Sequence, residues 1–440
     1  MKAVLTSVIF GTLFSVNMQD CSPPDEEEPT PLGGEISMTE ADGVFSHEDH
    51  AILPQEACFT DFDGGGRQDV WLMAGAQSGS DVGGAYMVEY GFLDENVALS
   101  TDATVSITPH TESMTQLACI GDVNGDGRGD IAVGILNEAA VYVFFGRDIE
   151  YGSHTTMTTA NADVAIVQGN GTFGYNIAPA GDVTSDGIDD FLVGDSNADI
   201  EDESANVGAV WLIAGRASWS PNPELSSVVY TSYWGTTEEE YFGMYLEPAV
   251  GDLNGDSVHD VVMGSPRANG AGAVYVVFGP VSPGSYDADA AAGVTFFGTA
   301  NEEVPGFDAK IGDFDCDGST DMAIGAGDNQ YGSNGHVSVF TSWSAETDAR
   351  DAQTSVHIDK YLSLGDVNED GCTDMLVVGE LEEGYLLYGR TDLTGVLTEE
   401  DMSATFLNGD PDEVVRLGRV NADDGSVLWG LSDSAVYFQQ

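Results

Sequence analysis

Residues 121–134 read Gly-Asp-Val-Asn-Gly-Asp-Gly-Arg-Gly-Asp-Ile-Ala-Val-Gly, and the fold turns on how that run is read. Counted from Asp122, oxygen-bearing side chains occupy positions 1, 3, 5 and 9 as Asp122, Asn124, Asp126 and Asp130, with Gly127 at position 6. Alternate side chains of a tightly coiled segment point inward, and glycine permits the sharp bend. Hard cations such as Ca²⁺ take about six to eight oxygen ligands in a flexible cage, and a loop of this kind supplies most of them. The apolar run that follows, Ile131–Val133, reads as a short buried strand. The expectation is a cation loop joining two strands.

Asp-Gly and Asn-Gly pairs also mark ordinary hairpin turns, and a single copy does not separate the two readings. The copies do. Asp182, Thr184, Asp186 and Asp190 precede Phe-Leu-Val-Gly, and Asp252, Asn254, Asp256 and Asp260 precede Val-Val-Met-Gly. Asp313, Asp315, Asp317 and Asp321 precede Met-Ala-Ile-Gly, and Asp366, Asn368, Asp370 and Asp374 precede Met-Leu-Val-Val-Gly. An earlier copy keeps Asp61, Asp63 and Asp69 but has Gly65 at position 5, and a last one, 419–427, has lost positions 1 and 9. Position 12 is Val133, where an EF-hand supplies a bidentate Glu. Position 7 gives a backbone carbonyl in such loops, which adds Arg128, Ile188, Val258, Ser319 and Cys372 to the expected ligands. In loop four Ser257 replaces the position-6 glycine, which predicts a strained turn. About five structural Ca²⁺ sites are expected, in loops two to six, with loop one partial and loop seven empty.

The first positions fall at 61, 122, 182, 252, 313, 366 and 419, a step of 53 to 70 residues. Repeats of this length, each holding several short strands, suit a propeller. The expected fold is therefore all-β, a seven-bladed β-propeller of four-stranded blades over residues 36–440. Third strands are the most aromatic, as in Ala140–Phe145 and Ala273–Phe278, and end in Phe-Gly, Tyr-Gly or Ala-Gly, where glycine is read as making the turn. Long connections such as Arg147–Asp163 and Ala214–Leu225 read as surface loops that could carry binding specificity. The seventh repeat runs out after its third strand, Ser434–Phe438, so the N-terminal segment around Ile36–Phe45 is expected to supply the missing outer strand.

The formal charge is −63, from 75 acidic and 12 basic side chains. A field of that sign repels nucleic acid and anionic membrane and excludes both as direct partners. Residues 1–20 carry Lys2 and then the apolar stretch Ala3–Val16, a signal-peptide pattern too short to span a membrane. Residues 21–35 form a Pro- and acid-rich tether. Its first residue, Cys21, resembles the start of a bacterial lipoprotein and is the candidate for a lipid anchor, although Met18-Gln19-Asp20 departs from a small-residue lipobox. Secretion or a cell-surface location, including an outer-membrane lipoprotein, is expected. Cys58 and Cys119 stand at equivalent points of neighbouring repeats, as do Cys316 and Cys372. They pair as 58–119 and 316–372, the pairing the repeat suggests, or remain buried thiols.

Two other signals are weaker. Arg128-Gly129-Asp130 spells a recognised adhesion tripeptide, but Asp130 is needed at position 9 with its carboxylate turned inward. Gly169–Gly174 fits GxGxxG, yet no helix follows to face a phosphate. The seven histidines are scattered, and none falls in HExxH or beside a GxSxG elbow. His259, inside loop four, is expected to face solvent.

Phe173-Gly174-Tyr175, Tyr241-Phe242-Gly243 and Gly306-Phe307 before the loops, Gly264-Ser265-Pro266 and Gly325-Ala326 after them, and Gly272-Ala-Val-Tyr275 resemble the FG-GAP repeat of integrin α-chain propellers and their bacterial relatives. The resemblance spans essentially 36–440, with repeats three to five matching best. It implies a seven-bladed propeller with calcium loops on one face, serving adhesion or contact with extracellular protein or carbohydrate. The leading expectation is a monomeric, non-enzymatic binding module with structural calcium. The competing expectations are a polysaccharide-active lyase or hydrolase built on the same scaffold, and a surface-layer component.

Overall fold

The computed structural model describes residues 34–37, 43–46, 51–75, 83–88, 97–110, 114–150, 154–169, 171–199, 206–244, 250–298, 308–326, 336–348, 351–356, 362–368, 370–378, 384–407, 417–420, 427–430 and 434–438. The signal segment, tether residues 21–33, residues 421–426 and Gly306-Phe307 lie outside them, while Gly34 and Glu35, assigned to the tether, begin a strand that pairs parallel with Ala404–Leu407. Among the described residues the fold is all-β, with strands in seven sheets and only four-residue α-helices and short 3₁₀ turns. No described helix is long and apolar enough to cross a membrane.

Repeat two shows how a sheet is built. Gln116–Gly121 pairs antiparallel with Asp130–Ile135, that strand with Ala140–Phe144, and that one with Val164–Val167. Every residue of Asp130–Ile135 and Ala140–Phe144 is buried. That explains why these strands read as unbroken apolar runs: both sheet faces are covered. The cores lie between successive sheets. One cluster joins Ile120, Val141 and Val143 of repeat two to Phe191, Val193 and Trp211 of repeat three. Others join repeats one with two, three with four, four with five and five with six. The buried Phe-Gly phenylalanines stack on third-strand aromatics of their own repeat, Phe173 on Trp211 and Phe242 on Tyr275, edge to face.

First strands contact one another in sequence, Ala51–Thr60, Gln116–Gly121, Asn176–Gly181, Val250–Gly251, Asp308–Gly312, Leu362–Gly365 and Leu417–Val420, and the last also contacts the first. The N-terminal strand Gly43–Ser46 pairs antiparallel with Ser434–Phe438.

The expectation of four strands per sheet is corrected. Six of the seven sheets carry a fifth, parallel strand at the outer edge. Thr155–Thr158 pairs with Val105–Thr108, Gly284–Asp287 with Val229–Trp234, and Glu346–Asp348 with Val294–Phe297. Each comes from the long connection of the following repeat. Arg147–Asp163 is thus more than a surface loop, because part of it clasps the preceding sheet. Ala214–Leu225 adds no such strand, although the Pro221 carbonyl accepts the Ala165 N–H at 2.8 Å.

Candidate metal centres

Loops one to six join first to second strands, so they emerge at the same end of their sheets. In loop two the backbone coils around Asp122. Its Oδ1 accepts the N–H groups of Gly125 and Asp126 at 2.7 and 3.0 Å, and its Oδ2 accepts Gly127 N–H at 2.7 Å. Asp182, Asp252, Asp313 and Asp366 hold positions 5 and 6 of their own loops in the same way. Position 5 then accepts the N–H of position 7: Asp126 from Arg128, Asp186 from Ile188, Asp256 from Val258, Asp317 from Ser319 and Asp370 from Cys372. Position 6 lies at positive φ throughout, including Ser257 at 69°, where a side chain other than glycine is strained.

Position 9 is different in kind. Asp130 is fully buried, and both its oxygens accept backbone N–H groups, Val123 on Oδ2 at 3.0 Å and Gly146 on Oδ1 at 2.8 Å. Asp190 holds Thr184 and Gly215, Asp260 holds Leu253 and Gly279, and Asp374 holds Val367 and Gly389. The second donor is the glycine that closes the third strand. None of these four glycines has a positive φ, so reading them as turn-makers is corrected. A Cβ on Gly146 would come within 2.6 Å of Arg128 Cβ, and one on Gly389 within 2.7 Å of the Thr373 carbonyl. They are glycine because the strand end lies against the loop. Among the described residues, Asp69 and Asp321 accept N–H groups of their own loops, Phe62 and Asp63 on the one and Phe314 and Asp315 on the other.

Burial sets the acidity of these groups. It pushes Asp130 up to about 8, Asp69, Asp190 and Asp374 to about 7, and Asp321 to about 6. Burial also raises Asp260. In each of these loops other aspartates add to the rise, and in each the backbone donors oppose it.

The residues fit a hard cation on two observations. Ligand oxygens of Asp61, Asp63 and Asp69 lie within 4.8 Å of one another, as do those of Asp313, Asp315 and Asp317. Asp61 Oδ1 is buried with no hydrogen-bond partner, which is costly unless something else satisfies it. Thr184 Oγ1, at position 3 of loop three, lies close enough to Asp190 to favour its charge, yet forms no hydrogen bond of normal geometry. Loop one therefore keeps three clustered carboxylates despite Gly65.

Both disulfides join neighbouring repeats, Cys58 to Cys119 and Cys316 to Cys372. Asp130 of the adhesion tripeptide is enclosed. Gly171 and Gly174, at the GxGxxG segment, have positive φ and lead into the strand Asn176–Gly181, not a helix.

Position 8, absent from the expected site, is where the loops touch one another. Asp189 Oδ2 accepts the Asp122 N–H at 2.9 Å, and Thr373 Oγ1 accepts the Asp313 N–H at 3.0 Å. His259 Nδ1 accepts the Asp182 N–H at 3.1 Å, so this half-buried ring does not simply face solvent.

Residues 246–277, which contain loop four and the strand Ala273–Val277, match the FG-GAP repeat family. The chain is 25% identical over 238 residues to integrin alpha pat-2 of Caenorhabditis briggsae, covering 51% of this chain and 18% of that protein. It is 28% identical over 297 residues to integrin alpha-PS2 of Drosophila melanogaster, covering 62% and 19%. A third relative is bovine phosphatidylinositol-glycan-specific phospholipase D, 30% identical over 166 residues and covering 34% and 18%. The chain thus spans less than a fifth of the length of these relatives. The WD40 domain of Toxoplasma gondii coronin superposes with a TM-score of 0.46 at 10% identity, over 93% of this chain and 84% of that one. Residues 246–277 thus carry an FG-GAP repeat, and over about half its length the chain is similar to integrin α chains.

Proposed function

We propose that the chain is an exported, calcium-stabilised, seven-bladed β-propeller, acting outside the cell as a non-catalytic binding or adhesion module for a protein or carbohydrate partner. The observation that carries the calcium reading is the recurrence, in five loops, of one hydrogen-bonded coil in which the position-1 carboxylate accepts the N–H groups of positions 5 and 6 and the position-5 carboxylate that of position 7. Asp122, Asn124, Asp126 and Asp130, and their counterparts in loops three to six, would hold the ion, with the position-7 carbonyls. Asp61, Asp63 and Asp69 would hold a further one. Bound calcium supplies positive charge where buried carboxylates otherwise repel, and so stabilises the folded chain by mass action. The seven sheets and the sequence of contacts among their first strands support the propeller, and the integrin α relatives support adhesion.

The partner would dock away from the metal loops. At the far end of the second strands the residue types diverge, with Ile135, Asp195, Ser265 and Ala326 at equivalent places, which suits recognition better than a shared framework role. The test is binding of residues 22–440 to immobilised extracellular proteins and polysaccharides, in calcium and in chelator. Saturable binding to one class, lost on chelation, is expected. Turnover of a polysaccharide would favour the catalytic alternative, and binding to none of the panel would count against the adhesion reading.

A further inference from the structure

Consecutive loops are bonded to each other as well as to their own strands. Between loops two and three the contact is reciprocal. Asp122 donates its N–H to the Asp189 side chain, and the Asp122 carbonyl accepts the Asp189 N–H at 3.2 Å. Loops five and six repeat this, with Thr373 N–H donating to the Asp313 carbonyl at 2.8 Å. Loop four reaches loop three through His259 and Asp182, and Gly129 N–H reaches the Asp61 carbonyl at 2.9 Å. A second bond runs from just past the third strands of repeats two, three, four and six to position 2 of the preceding loop. Arg147 donates to the Phe62 carbonyl, Arg216 to Val123, Val281 to Val183 and Arg390 to Phe314, at 2.8 to 3.0 Å.

The side chains at these joints complement one another in size. Where position 8 carries a side chain, the residue before the neighbouring loop is glycine. A Cβ on Gly121 would overlap Asp189, and one on Gly312 would lie 2.5 Å from Thr373 Cγ2. Between loops one and two the arrangement is inverted, with Thr60 filling the space and Gly129 at position 8. Between loops four and five position 8 is the half-buried Thr320, yet the joint differs. Gly251 faces Ile311, the third strand ends in Phe340-Thr341 without a glycine, and no such bond joins these loops among the described residues.

We propose that Asp189, His259 and Thr373 are positioning residues for the metal loop of the preceding repeat, and that cation binding is coupled within two arcs, loops one to four and loops five to six. This rests on the calcium reading above. Position 1 supplies a ligand, and its backbone is fixed by position 8 of the next loop. A cation that orders one loop therefore organises its neighbour, and the coupling is reciprocal. At the junction of loops four and five the chain of bonds is broken, and coupling stops there.

The test is a calcium titration of the whole chain, followed by hydrogen–deuterium exchange of peptides covering each loop. In the unsubstituted chain, loops two and three should gain protection together. Asp189→Ala should raise the calcium midpoint of loop two roughly tenfold, the effect of leaving one backbone donor unpaired, with loops five and six unmoved. Asp189→Asn keeps an oxygen before the Asp122 N–H and should restore most of the shift. Thr373→Val should do the same to loop five, with loops two and three unmoved, and serves if the first variant does not fold. Calcium protection in all loops with unmoved midpoints in these variants would overturn the positioning role, as would an equal shift in both arcs or no rescue by Asn. If no loop of the unsubstituted chain is protected by calcium, the calcium reading fails and this inference with it.

Discussion

The strand Asp190–Asp195 begins and ends on a buried aspartate, and the two are held in opposite ways. Asp190 gives one oxygen to Thr184 N–H and the other to Gly215 N–H. Asp195 takes three donors on Oδ1, from the Thr172 backbone and hydroxyl and from Asn197 N–H, while its Oδ2 has no partner. The first arrangement recurs at Asp130, Asp260 and Asp374. The second does not recur: the neighbouring repeat inverts it, placing Ser265 on the strand and a buried Glu240 on the preceding connection to accept its hydroxyl at 3.0 Å. One end of the sheets is repeated framework, and the other is where the repeats become individuals.

Removing the cation should disturb the framework end most. A site held at a hundred times its dissociation constant contributes about 2.7 kcal/mol, so five sites contribute on the order of 10 kcal/mol. Scanning calorimetry in chelator should show the unfolding midpoint lower by about 10 °C or more. Next in size is the contrast between the two aspartates. In calcium, Asp190→Asn should cost about 3 kcal/mol or more, because an amide NH₂ then faces a backbone N–H and the cation loses a charged ligand. Asp195→Asn should stay within about 1 kcal/mol by denaturant unfolding, since the amide NH₂ can occupy the unpartnered side while the oxygen keeps its three donors. A cost at Asp195 equal to that at Asp190 would erase the distinction between the ends.

Acidity offers a third, smaller effect. The position-9 carboxyls have folded-state values of about 6 to 8, raised above the ordinary 3.8 by burial. Between those values the folded chain binds more protons than the unfolded one, so stability falls as pH rises. In chelator, the chain should unfold at a higher temperature at pH 5.5 than at pH 8. In calcium the order should reverse, because protons and cation compete for the same oxygens. The smallest effect expected is at Gly169, whose φ is 83° with open space around it. Gly169→Ala should cost about 1 kcal/mol for backbone strain alone, whereas Gly215→Ala, which meets the Asp189 carbonyl and Ile188, should cost several times that.

The framework end was largely legible because its chemistry repeats. Carboxylates in fixed register and apolar runs after position 9 point to a physical requirement that recurs from repeat to repeat, and cysteines stand at equivalent points of two neighbouring pairs. What stayed hidden lacks that signature. Every residue of Gly284–Asp287 is exposed, so a strand that clasps its neighbour by backbone bonds, a Ser285 hydroxyl contact and Tyr286 beside Tyr233 leaves no apolar alternation to read. Position 8 was missed because its identity changes from Asp to His to Thr. The available signal was a pairing of sizes across repeats, Gly121 with Asp189 against Thr60 with Gly129. The strand-ending glycines were legible as glycines, but the reason for them was tight packing against the loop and not the turn. Asp195 and Glu240 carried no pattern, since each occurs once.

The measurement that bears most directly on the framework end is a count of bound calcium. Residues 22–440 would be equilibrated at micromolar free calcium, separated from unbound ions, and assayed by elemental analysis against protein concentration. About five ions per chain, with a sixth if loop one is filled, is the predicted result. A chain that binds none, and unfolds identically with and without chelator, would contradict the account and leave the aspartate loops as acidic turns held by their own backbone.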